Sequence, residues 1–272
     1  MPEDLNEMKI VSVNKNDVAM LIPLQPEGWV DIRPVFDFYI DSSFGCPVKV
    51  VMDQCIVGLG AAIIHNDVAW LAHIIVHPVY RCRGIGQQIV QTLVEIVKNN
   101  GCSTTYLVAT ELGEPVYKKV GFITETTYLV HKDIAGKNHN IPEQIHRYED
   151  IYREQLSSLD RKTSGEDRMM HLEEHLDKGF LYLCDNRLEG YYLPTLGEGL
   201  IIAETEIAGI ELLKLYLKYN NRVVIPQENY SAHRFLEETG IGEVKAIKRM
   251  RLGEERKVKF ANIYNRIGGN VG

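Results

Sequence analysis

The residues best suited to chemistry form the run Val76-His77-Pro78-Val79-Tyr80-Arg81-Cys82-Arg83-Gly84-Ile85-Gly86. It joins a strand-like apolar run, 70–76, to a run with helical periodicity, 87–99. Two glycines two positions apart at a helix start let the backbone curl around an anion, because the first N–H groups of a helix lack intrahelical acceptors. Arg81 and Arg83 add positive charge to this nest of N–H groups. The spacing predicts a phosphate-binding loop; the alternative is an ordinary turn that uses glycine for its conformational freedom.

The class of phosphate ligand can be inferred by comparing the run 76–86 with known phosphate-binding motifs. It is no Walker loop, because no Gly-Lys-Ser/Thr follows, and no dinucleotide fingerprint, because the three-glycine spacing is missing. It resembles motif A of the GNAT superfamily of N-acetyltransferases, Val-x-Pro-x-Tyr-Arg-x-x-Gly-x-Gly. Downstream, 117–122 resembles the Tyr-x-Lys-x-Gly-Phe helix end of that family, and the likeness spans residues 8–133. In this family the loop holds the pyrophosphate of acetyl-CoA.

The resemblance implies acetyl-CoA as the cosubstrate and gives roles to individual residues. Tyr117 would be the general acid for the departing thiolate, since an ordinary phenol has a pKa of ~10; the alternative is packing beside Val116 and Val120. Thr110 and Gly113 replace the Asn and Ala usual in the family, which weakens the pantetheine contact expected at Thr110. The implied cosubstrate-binding residues are Ile74, Ile75, Val76, Arg81, Cys82, Arg83, Gly84, Ile85, Gly86, Gln87, Thr110 and Gly113.

The general base and the acceptor site are less well marked. The candidates for the base are His73, His77 and Glu111, and a water chain to bulk solvent is an equal alternative. Each of the three residues also has a purely structural interpretation. Acidic and aromatic residues of the early segment would suit an ammonium group; these are Trp29, Asp31, Phe36, Asp37 and Tyr39. The alternative for the aromatic ones is a place in the core.

The second half repeats the order of the first in a degenerate form. Residues 134–146 are polar and rich in Gly, Asn and Pro, which is typical of a linker. Further on, 229–241 resembles a GNAT helix end and places Leu236 opposite Tyr117. The counterpart of the phosphate loop, 201–209, lacks Pro and Arg-x-x-Gly-x-Gly and carries two glutamates that would repel a pyrophosphate. This half is therefore predicted not to bind CoA.

The patterns together predict an α+β (mixed α/β) chain of two tandem GNAT-like domains, each a mixed, mostly antiparallel sheet flanked by helices. The predicted boundaries are 1–133 for the acetyl-CoA-binding domain, 134–146 for the linker and 147–272 for the degenerate copy. The second half is also similar to a bacterial tandem-GNAT group, the YitH-like acetyltransferases. The residues that carry this likeness are Leu159-Asp160-Arg161, Gly165, Asp167-Arg168, Gly190-Tyr191 and Arg249-Met250-Arg251-Leu252-Gly253, with Gly28-Trp29 in the first half.

Composition narrows the class of protein. With 45% hydrophobic and 25% charged residues, the 272-residue chain has the composition of a globular protein. No apolar run approaches the ~20 residues of a membrane span, and the acidic start MPEDLNEMKIV is unlike a signal peptide. The net charge of -7 argues against nucleic acid as a partner. Five scattered cysteines without a Cys-x-x-Cys pair argue against disulfides and a metal site, and for the reducing cytoplasm.

The sequence thus predicts an N-acetyltransferase that transfers an acetyl group from acetyl-CoA to a primary amine of a small molecule by direct attack. Its N-terminal domain would be catalytic. The alternative is a non-catalytic sensor that binds acyl-CoA, and transfer to a protein N-terminus or lysine is a third option. A homodimer is left open. The tail 256–272, with its apolar patch 260–267, is expected to pack between the halves or against another subunit.

Overall fold

The computed structural model describes residues 8–134, 140–240 and 245–272, which form two compact units. The first unit comprises Met1–Ile123, Met250–Glu254 and Gly269–Val271. The second comprises Thr124–Arg249, Glu255–Gly268 and Gly272. The division at 123/124 differs from the sequence-based boundary, because the strand after Gly121 groups with the second half and two C-terminal pieces group with the first. The catalytic role of the N-terminal domain stays a prediction.

The first unit is built on a five-stranded run of one sheet. Its elements in chain order are β1 (Lys9–Ser12), α1 (Arg33–Asp41), β2 (Gly45–Met52), β3 (Cys55–His65), β4 (Val68–Val76), α2 (Ile85–Asn99), β5 (Thr104–Ala109) and α3 (Glu114–Val120). The strands lie in the order β1-β2-β3-β4-β5. The first three neighbouring pairs are antiparallel, and β4 and β5 are parallel. This agrees with the predicted mixed, mostly antiparallel sheet.

The hairpin between β2 and β3 turns at Asp53-Gln54. Both residues have positive φ angles, 47° and 62°. A two-residue turn with two positive φ angles follows the right-handed twist of the strands and so closes a hairpin tightly. The pairing of Met52 with Cys55 directly beside this turn fixes the register of the two strands.

Helix α2 packs on the sheet through one apolar face. Its buried residues are Ile85, Ile89, Val90, Leu93, Val94 and Val97. Two glycines of β3 let the helix approach closely: a Cβ on Gly60 would lie 2.6 Å from Cγ2 of Ile89, and one on Gly58 would lie 3.0 Å from its Cδ1. The start of α2, which carries the predicted phosphate loop, is therefore held rigidly against the strands that precede it.

The second unit has a sheet of its own. The remaining elements are β6 (Ile123–His131), β7 (Ile145–Arg147), α4 (Arg153–Ser164), α5 (Met169–Leu172), β8 (Phe180–Cys184), β9 (Arg187–Leu193), β10 (Leu200–Ala203), α6 (Glu206–Leu217), β11 (Val223–Pro226), α7 (Tyr230–Glu238), β12 (Lys245–Gly253) and β13 (Ile263–Asn265). Five strands lie in the order β13-β10-β9-β8-β7, and β11 pairs antiparallel with β6. The last residues of β12, from Met250, belong to the first unit.

Two segments contain strands that the sequence did not predict. Strand β7 (Ile145–Arg147), which pairs antiparallel with β8, begins within the predicted linker 134–146; residues 135–139 of that linker lie outside the described residues. In the tail, Ile263–Asn265 pairs antiparallel with β10 as an edge of the second sheet, and the predicted packing of the tail between the halves or on another subunit stays a prediction. In the sequence, the apolar residues of this polar tail look like a surface patch. Their pairing with β10 could be predicted only from the tertiary structure.

The predicted α+β (mixed α/β) class is confirmed, with two sheets flanked by helices. Within the residues that the structure describes, no helix combines the length and the apolar composition needed to cross a membrane.

Candidate active site

The phosphate loop connects the end of β4 to the start of α2. After Val76 the chain makes a 3-10 turn, Pro78–Tyr80, and reaches the helix through two residues in left-handed conformation, Cys82 (φ 61°) and Gly84 (φ 81°). Residues with alternating handedness turn successive N–H groups toward one point, which is how an anion-binding nest forms. Gly84 is the N-cap of α2, so the positive end of the helix dipole points at the same place.

Hydrogen bonds show where the nest begins. The N–H of Arg81 donates to the carbonyl of Pro78 (3.3 Å) within the turn, and the role of Arg81 in cosubstrate binding stays a prediction. The first helical bond of α2 runs from the N–H of Gln88 to the carbonyl of Gly84 (3.1 Å). The N–H groups between these two bonds, from Cys82 to Gln87, are the donors that an anion at the helix start would use.

The protein has room for a side chain at Gly86 of the loop. A Cβ placed there would have Val76 Cγ2 as its nearest neighbour, at the ordinary contact distance of 3.6 Å. The fold does not require glycine at this position, and a glycine in a helix costs roughly 1 kcal/mol relative to alanine. Space beside a nest of N–H donors is what close approach of a phosphate requires. The residues present therefore fit a pyrophosphate.

The two arginines of the loop have different surroundings. The Nε of Arg81 donates to the carbonyl of Val76 (3.1 Å), which ties this side chain back to the end of β4. The guanidinium of Arg83 lies 5.3 Å from the centre of the Tyr80 ring. Both side chains are exposed, as is that of Cys82.

The end of β4 presents backbone groups on the side away from β3. Since the N–H of His77 donates to Val57 (2.9 Å), the neighbouring pair Gly58 and Val76 is a non-hydrogen-bonded pair of the ladder. The N–H of Val76 therefore points toward the β5 side, where the parallel pairing comprises Val68–Leu71 with Thr104–Leu107. The same alternation directs the polar groups of Ile75 to β3.

Tyr117 lies on α3 in the apolar cluster that also contains Ile85 and Ile89. Its side chain is buried, with 7% of its surface exposed, and burial raises the pKa of its phenol to about 12. Gly113 makes room for the ring, because a Cβ there would lie 2.7 Å from Cε2 of Tyr117. Thr110 is exposed, and its carbonyl accepts from the N–H of Glu114 (2.9 Å). The replacement of the family's Ala by glycine thus follows from the position of the phenol.

The three candidates for the general base separate in the structure. His77 accepts at Nδ1 from the N–H of Val79 (3.3 Å), which caps the turn after β4. Glu111 is exposed in the turn before α3. His73 lies within β4 at a positive φ of 53° and contacts the rings of Phe36 and Tyr39 at centroid distances of 5.8 and 5.7 Å. Burial lowers the pKa of His73 to about 4, so its imidazole is neutral at pH 7 and a weak base.

The pKa of His73 predicts a loss of stability in acid. Because its pKa falls from an ordinary ~6.5 when unfolded to about 4 when folded, the folded state is favoured above pH 6.5, and this contribution is lost as the pH falls toward 4. The contribution is on the order of 3 kcal/mol. We expect urea unfolding at pH 7.5 and 4.5 to show a smaller pH dependence for His73→Asn than for the wild type. An equal dependence in both proteins would contradict the assignment. Asparagine suits the variant because it tolerates positive φ.

Most of the predicted acceptor residues have partners or are buried. Phe36 and Tyr39 are core residues, with 0% and 1% exposed. Asp31 binds the guanidinium of Arg33 (2.6 Å), and Asp37 binds Lys15 (2.7 Å). Trp29 is 47% exposed, contacts the ring of His73 edge-on at 5.9 Å, and lines a surface cavity of ≈ 220 Å³. The cavity's other lining residues are Ile22, Gln25, Asp31 and Arg33.

The second unit has no comparable nest at its corresponding position. Strand β10 leads into α6 through Thr205, whose hydroxyl caps the helix by accepting from Ala208 (3.3 Å). The space beside Gly209 is filled by the ring of Tyr264, which a Cβ there would overlap. Glu204 and Glu206 lie at the helix start, where each binds an arginine (2.7 Å in both cases). The ring of Tyr264 and two salt bridges thus occupy this helix start, and the absence of CoA binding in this half stays a prediction.

The residues behind the C-terminal resemblance form a buried ionic cluster. Arg168 donates to both oxygens of Asp160 at 2.9–3.2 Å, and the hydroxyl of Tyr191 donates to the same carboxylate at 2.5 Å. Asp160 and Arg168 are only 2% and 3% exposed. Sequence spacing could not reveal this cluster, since its members lie on α4, in the loop before α5 and on β9.

Comparison with known proteins agrees with this geometry. The family model described as Acetyltransferase (GNAT) family matches residues 18–122, all in the first unit. No curated protein gives a significant match. A Pyrococcus horikoshii protein with a provisional acetyltransferase description is 22% identical, with a TM-score of 0.80 over 97% of this chain and 96% of its own.

Two further structures have the same fold over most of both chains. A GCN5-related N-acetyltransferase from Sphaerobacter thermophilus is 13% identical, with a TM-score of 0.65 over 94% of this chain and 98% of its own. A tandem GNAT protein from the clavulanic acid biosynthesis pathway is 12% identical, with a TM-score of 0.57 over 92% and 100%. At such identities these likenesses concern the fold, and the YitH-like subgroup stays a prediction. Residues 18–122 of the first unit thus match the acetyltransferase (GNAT) family model, and the chain as a whole shares the fold of these acetyltransferase structures.

Proposed function

We propose that the first unit transfers the acetyl group of acetyl-CoA to a primary amine of a small molecule. The observation that carries this proposal is the nest of N–H donors from Cys82 to Gln87, with positive φ at Cys82 and Gly84 and open space beside Gly86. The diphosphate of the cosubstrate is a dianionic group that such a nest and the dipole of α2 would hold.

The proposed reaction is a direct attack. The nitrogen of the neutral amine forms a bond to the thioester carbon, the C–S bond breaks, and the sulfur leaves as a thiolate. The N–H of Val76, directed away from β3, would polarise the thioester carbonyl. The phenol of Tyr117 would supply a proton to the thiolate, and the attacking nitrogen would lose its proton to water. The low pKa of His73 makes this imidazole a poor acceptor for that proton.

Replacing Tyr117 by phenylalanine tests the acid. A pKa of about 12 keeps the phenol protonated at neutral pH but makes it a weaker acid than an ordinary thiol, whose pKa is ~8.5. We therefore expect a loss at the low end of the usual range for acid catalysis, about 10²-fold in kcat. The measurement is release of free thiol from acetyl-CoA across a panel of small amines. Tyr230→Phe is the matched control, since Tyr230 is exposed and lies in the second unit. A Tyr117→Phe enzyme with unchanged kcat would exclude the acid role.

A sensor that binds acyl-CoA without turnover is the second candidate. The weak acidity of Tyr117 favours it, because a phenol with a pKa of about 12 gives little driving force for proton transfer. The same panel separates the two functions when it is combined with calorimetry of acetyl-CoA binding. Tight binding without thiol release from any amine favours the sensor, and thiol release above the hydrolysis rate favours the enzyme. Absence of binding would exclude both.

We place the protein in the cytoplasm on the ground of its cysteines. All five are free thiols, and Cys55, Cys82 and Cys184 are exposed. Exposed thiols persist in a reducing compartment.

A further inference from the structure

Strand β4 contains a bulge three residues before the end that meets the phosphate loop. Leu59 pairs with Ile75 and Ala61 with Ala72, so two residues of β4, His73 and Ile74, lie opposite Gly60. His73 takes the left-handed conformation that such a bulge usually assigns to glycine. A bulge of this type redirects a side chain, and it is strained for a residue with a Cβ. Because a Cβ makes this conformation unfavourable, the histidine at this position is a candidate for a functional residue.

The imidazole of His73 is held by a chain of two hydrogen bonds within the first unit. The side-chain amide of Asn270 donates from Nδ2 to the hydroxyl of Tyr39 (3.2 Å). That hydroxyl lies 3.2 Å from Nδ1 of His73. A hydroxyl that accepts from Asn270 has its own proton to donate, and the acceptor within reach is Nδ1. In a neutral imidazole with Nδ1 as the acceptor, the proton is on Nε2.

The environment of the ring leaves Nε2 available for a ligand. The rings of Trp29, Phe36 and Tyr39 surround the imidazole edge-on at 5.7–5.9 Å, and His73 is partly exposed. Among the described residues, the one hydrogen bond that this imidazole makes is at Nδ1. The partly exposed Trp29 extends from the same ring cluster to the surface cavity.

We propose that Asn270, through Tyr39, holds His73 as a neutral Nε2–H donor beside the site of the amine substrate. His73 then binds an oxygen of that substrate and does not act as the base. The substrate class is then an amine that carries a hydrogen-bond-accepting oxygen, such as a carbonyl or carboxylate, close to its nitrogen. Asn270 and Tyr39 are positioning residues, and His73 determines specificity. The proposal rests on the proposed function for the reaction, but its hydrogen-bond chain can be tested without turnover.

Asn270→Asp is the sharpest test, because it keeps the shape and reverses the polarity. A carboxylate only accepts, so the Tyr39 hydroxyl would donate to residue 270 and accept from Nδ1–H of His73. We expect two-bond ¹⁵N–¹H spectra to show the Nε2–H tautomer of His73 in the wild type and the Nδ1–H tautomer in Asn270→Asp. The signal is assigned by its absence in His73→Asn. Asn99→Asp, at an exposed position of α2, is the control for added charge and should keep the wild-type tautomer.

Two spectroscopic results would overturn the proposal. One is an Nδ1–H tautomer of His73 in the wild type, and the other is the same tautomer in the wild type and in folded Asn270→Asp. Tyr39→Phe removes the link altogether and should give a mixture of tautomers. It provides a second test if Asn270→Asp does not fold.

Kinetics then test the substrate class. For the best amine of the panel, we expect Asn270→Asp to raise KM about tenfold, the effect of one lost hydrogen bond, with no change in the affinity for acetyl-CoA. The rise should vanish for an analogue that lacks the oxygen. An equal rise for both amines would contradict the role of His73. If no amine is acetylated, the proposed function fails, while the spectra still decide on the hydrogen-bond chain.

Discussion

Replacing Gly86 by alanine is expected to weaken acetyl-CoA binding by about 10³-fold while the protein stays folded. The new methyl group would occupy the space beside the N–H nest without a clash inside the protein, since its nearest neighbour is Val76 Cγ2 at 3.6 Å. A bound diphosphate would have to move away from at least two backbone donors. Each hydrogen bond to a charged group is worth roughly 1.5–3 kcal/mol, so losing two of them gives this magnitude.

Stability should change in the opposite direction. Alanine in the first turn of α2 improves helix propensity by up to ~1 kcal/mol. The free energy of unfolding of Gly86→Ala should therefore be equal to or higher than that of the wild type. Calorimetric titration with acetyl-CoA, together with urea unfolding of the ligand-free protein, measures both effects. Gln91→Ala also introduces alanine at an exposed position of the same helix and should bind like the wild type. If Gly86→Ala binds acetyl-CoA within threefold of the wild type, the loop does not hold the diphosphate.

Local sequence was enough to predict the loop, because its geometry depends on adjacent residues. The glycines at 84 and 86, the proline at 78 and the periodicity of α2 lie within one strand-to-helix connection. The turn at Asp53-Gln54 and the helix end at Gly121, with φ 109°, are likewise determined by neighbours in sequence. The donation of the Arg81 N–H to Pro78, in contrast, depends on the pitch of the 3-10 turn, which the residue types do not specify.

The surroundings of His73 and of the candidate acceptor-binding residues could not be predicted in the same way. Asn270 lies 231 positions after Tyr39, and a lone asparagine in a Gly-rich tail gives no signal. The bulge at His73 arises from the mismatch between β3 and β4, and neither strand shows it alone. Asp31 and Asp37, which look like free carboxylates in the sequence, bind Arg33 and Lys15. Lys15 and Asp37 are 22 positions apart, so their pairing depends on tertiary structure, whereas Asp31 and Arg33 are only two positions apart.

The strand-to-helix connection of the second unit has different surroundings from the phosphate loop of the first. Its strand-to-helix connection from β10 to α6 is present, but Tyr264 fills the space at Gly209. Thr205 accepts from an N–H at the helix start, and each of the two glutamates beside it binds an arginine. Three of the residues that make this half recognisable in sequence, Asp160, Arg168 and Tyr191, form a buried cluster.

Removing the carboxylate of that cluster should therefore destabilise the second unit strongly. In Asp160→Ala, the buried guanidinium of Arg168 and the hydroxyl of Tyr191 would lose the group that both now contact. Burial and the charge of Asp160 raise the pKa of Tyr191, so its phenol is protonated and acts as a donor that needs an acceptor. Leaving one charge of a buried pair without its partner typically costs 3–5 kcal/mol. We expect hydrogen exchange in peptides from α4 and β9 to accelerate by roughly 10²–10³-fold.

A neighbouring exposed pair supplies the matched control for this prediction. Asp167 binds Arg161 at 2.7 Å, but the two side chains are 42% and 60% exposed, so Asp167→Asn should cost less than ~1 kcal/mol. Replacing the whole cluster tests whether the instability of Asp160→Ala comes from the lost attraction or from the unpaired charge of Arg168. A buried ion pair often stabilises a protein no more than apolar residues of similar volume do. The triple variant Asp160→Leu, Arg168→Met, Tyr191→Phe should accordingly exchange more slowly than Asp160→Ala. If the triple variant exchanges faster, or if Asp160→Ala and Asp167→Asn are alike, the cluster does not stabilise this unit in the way its geometry indicates.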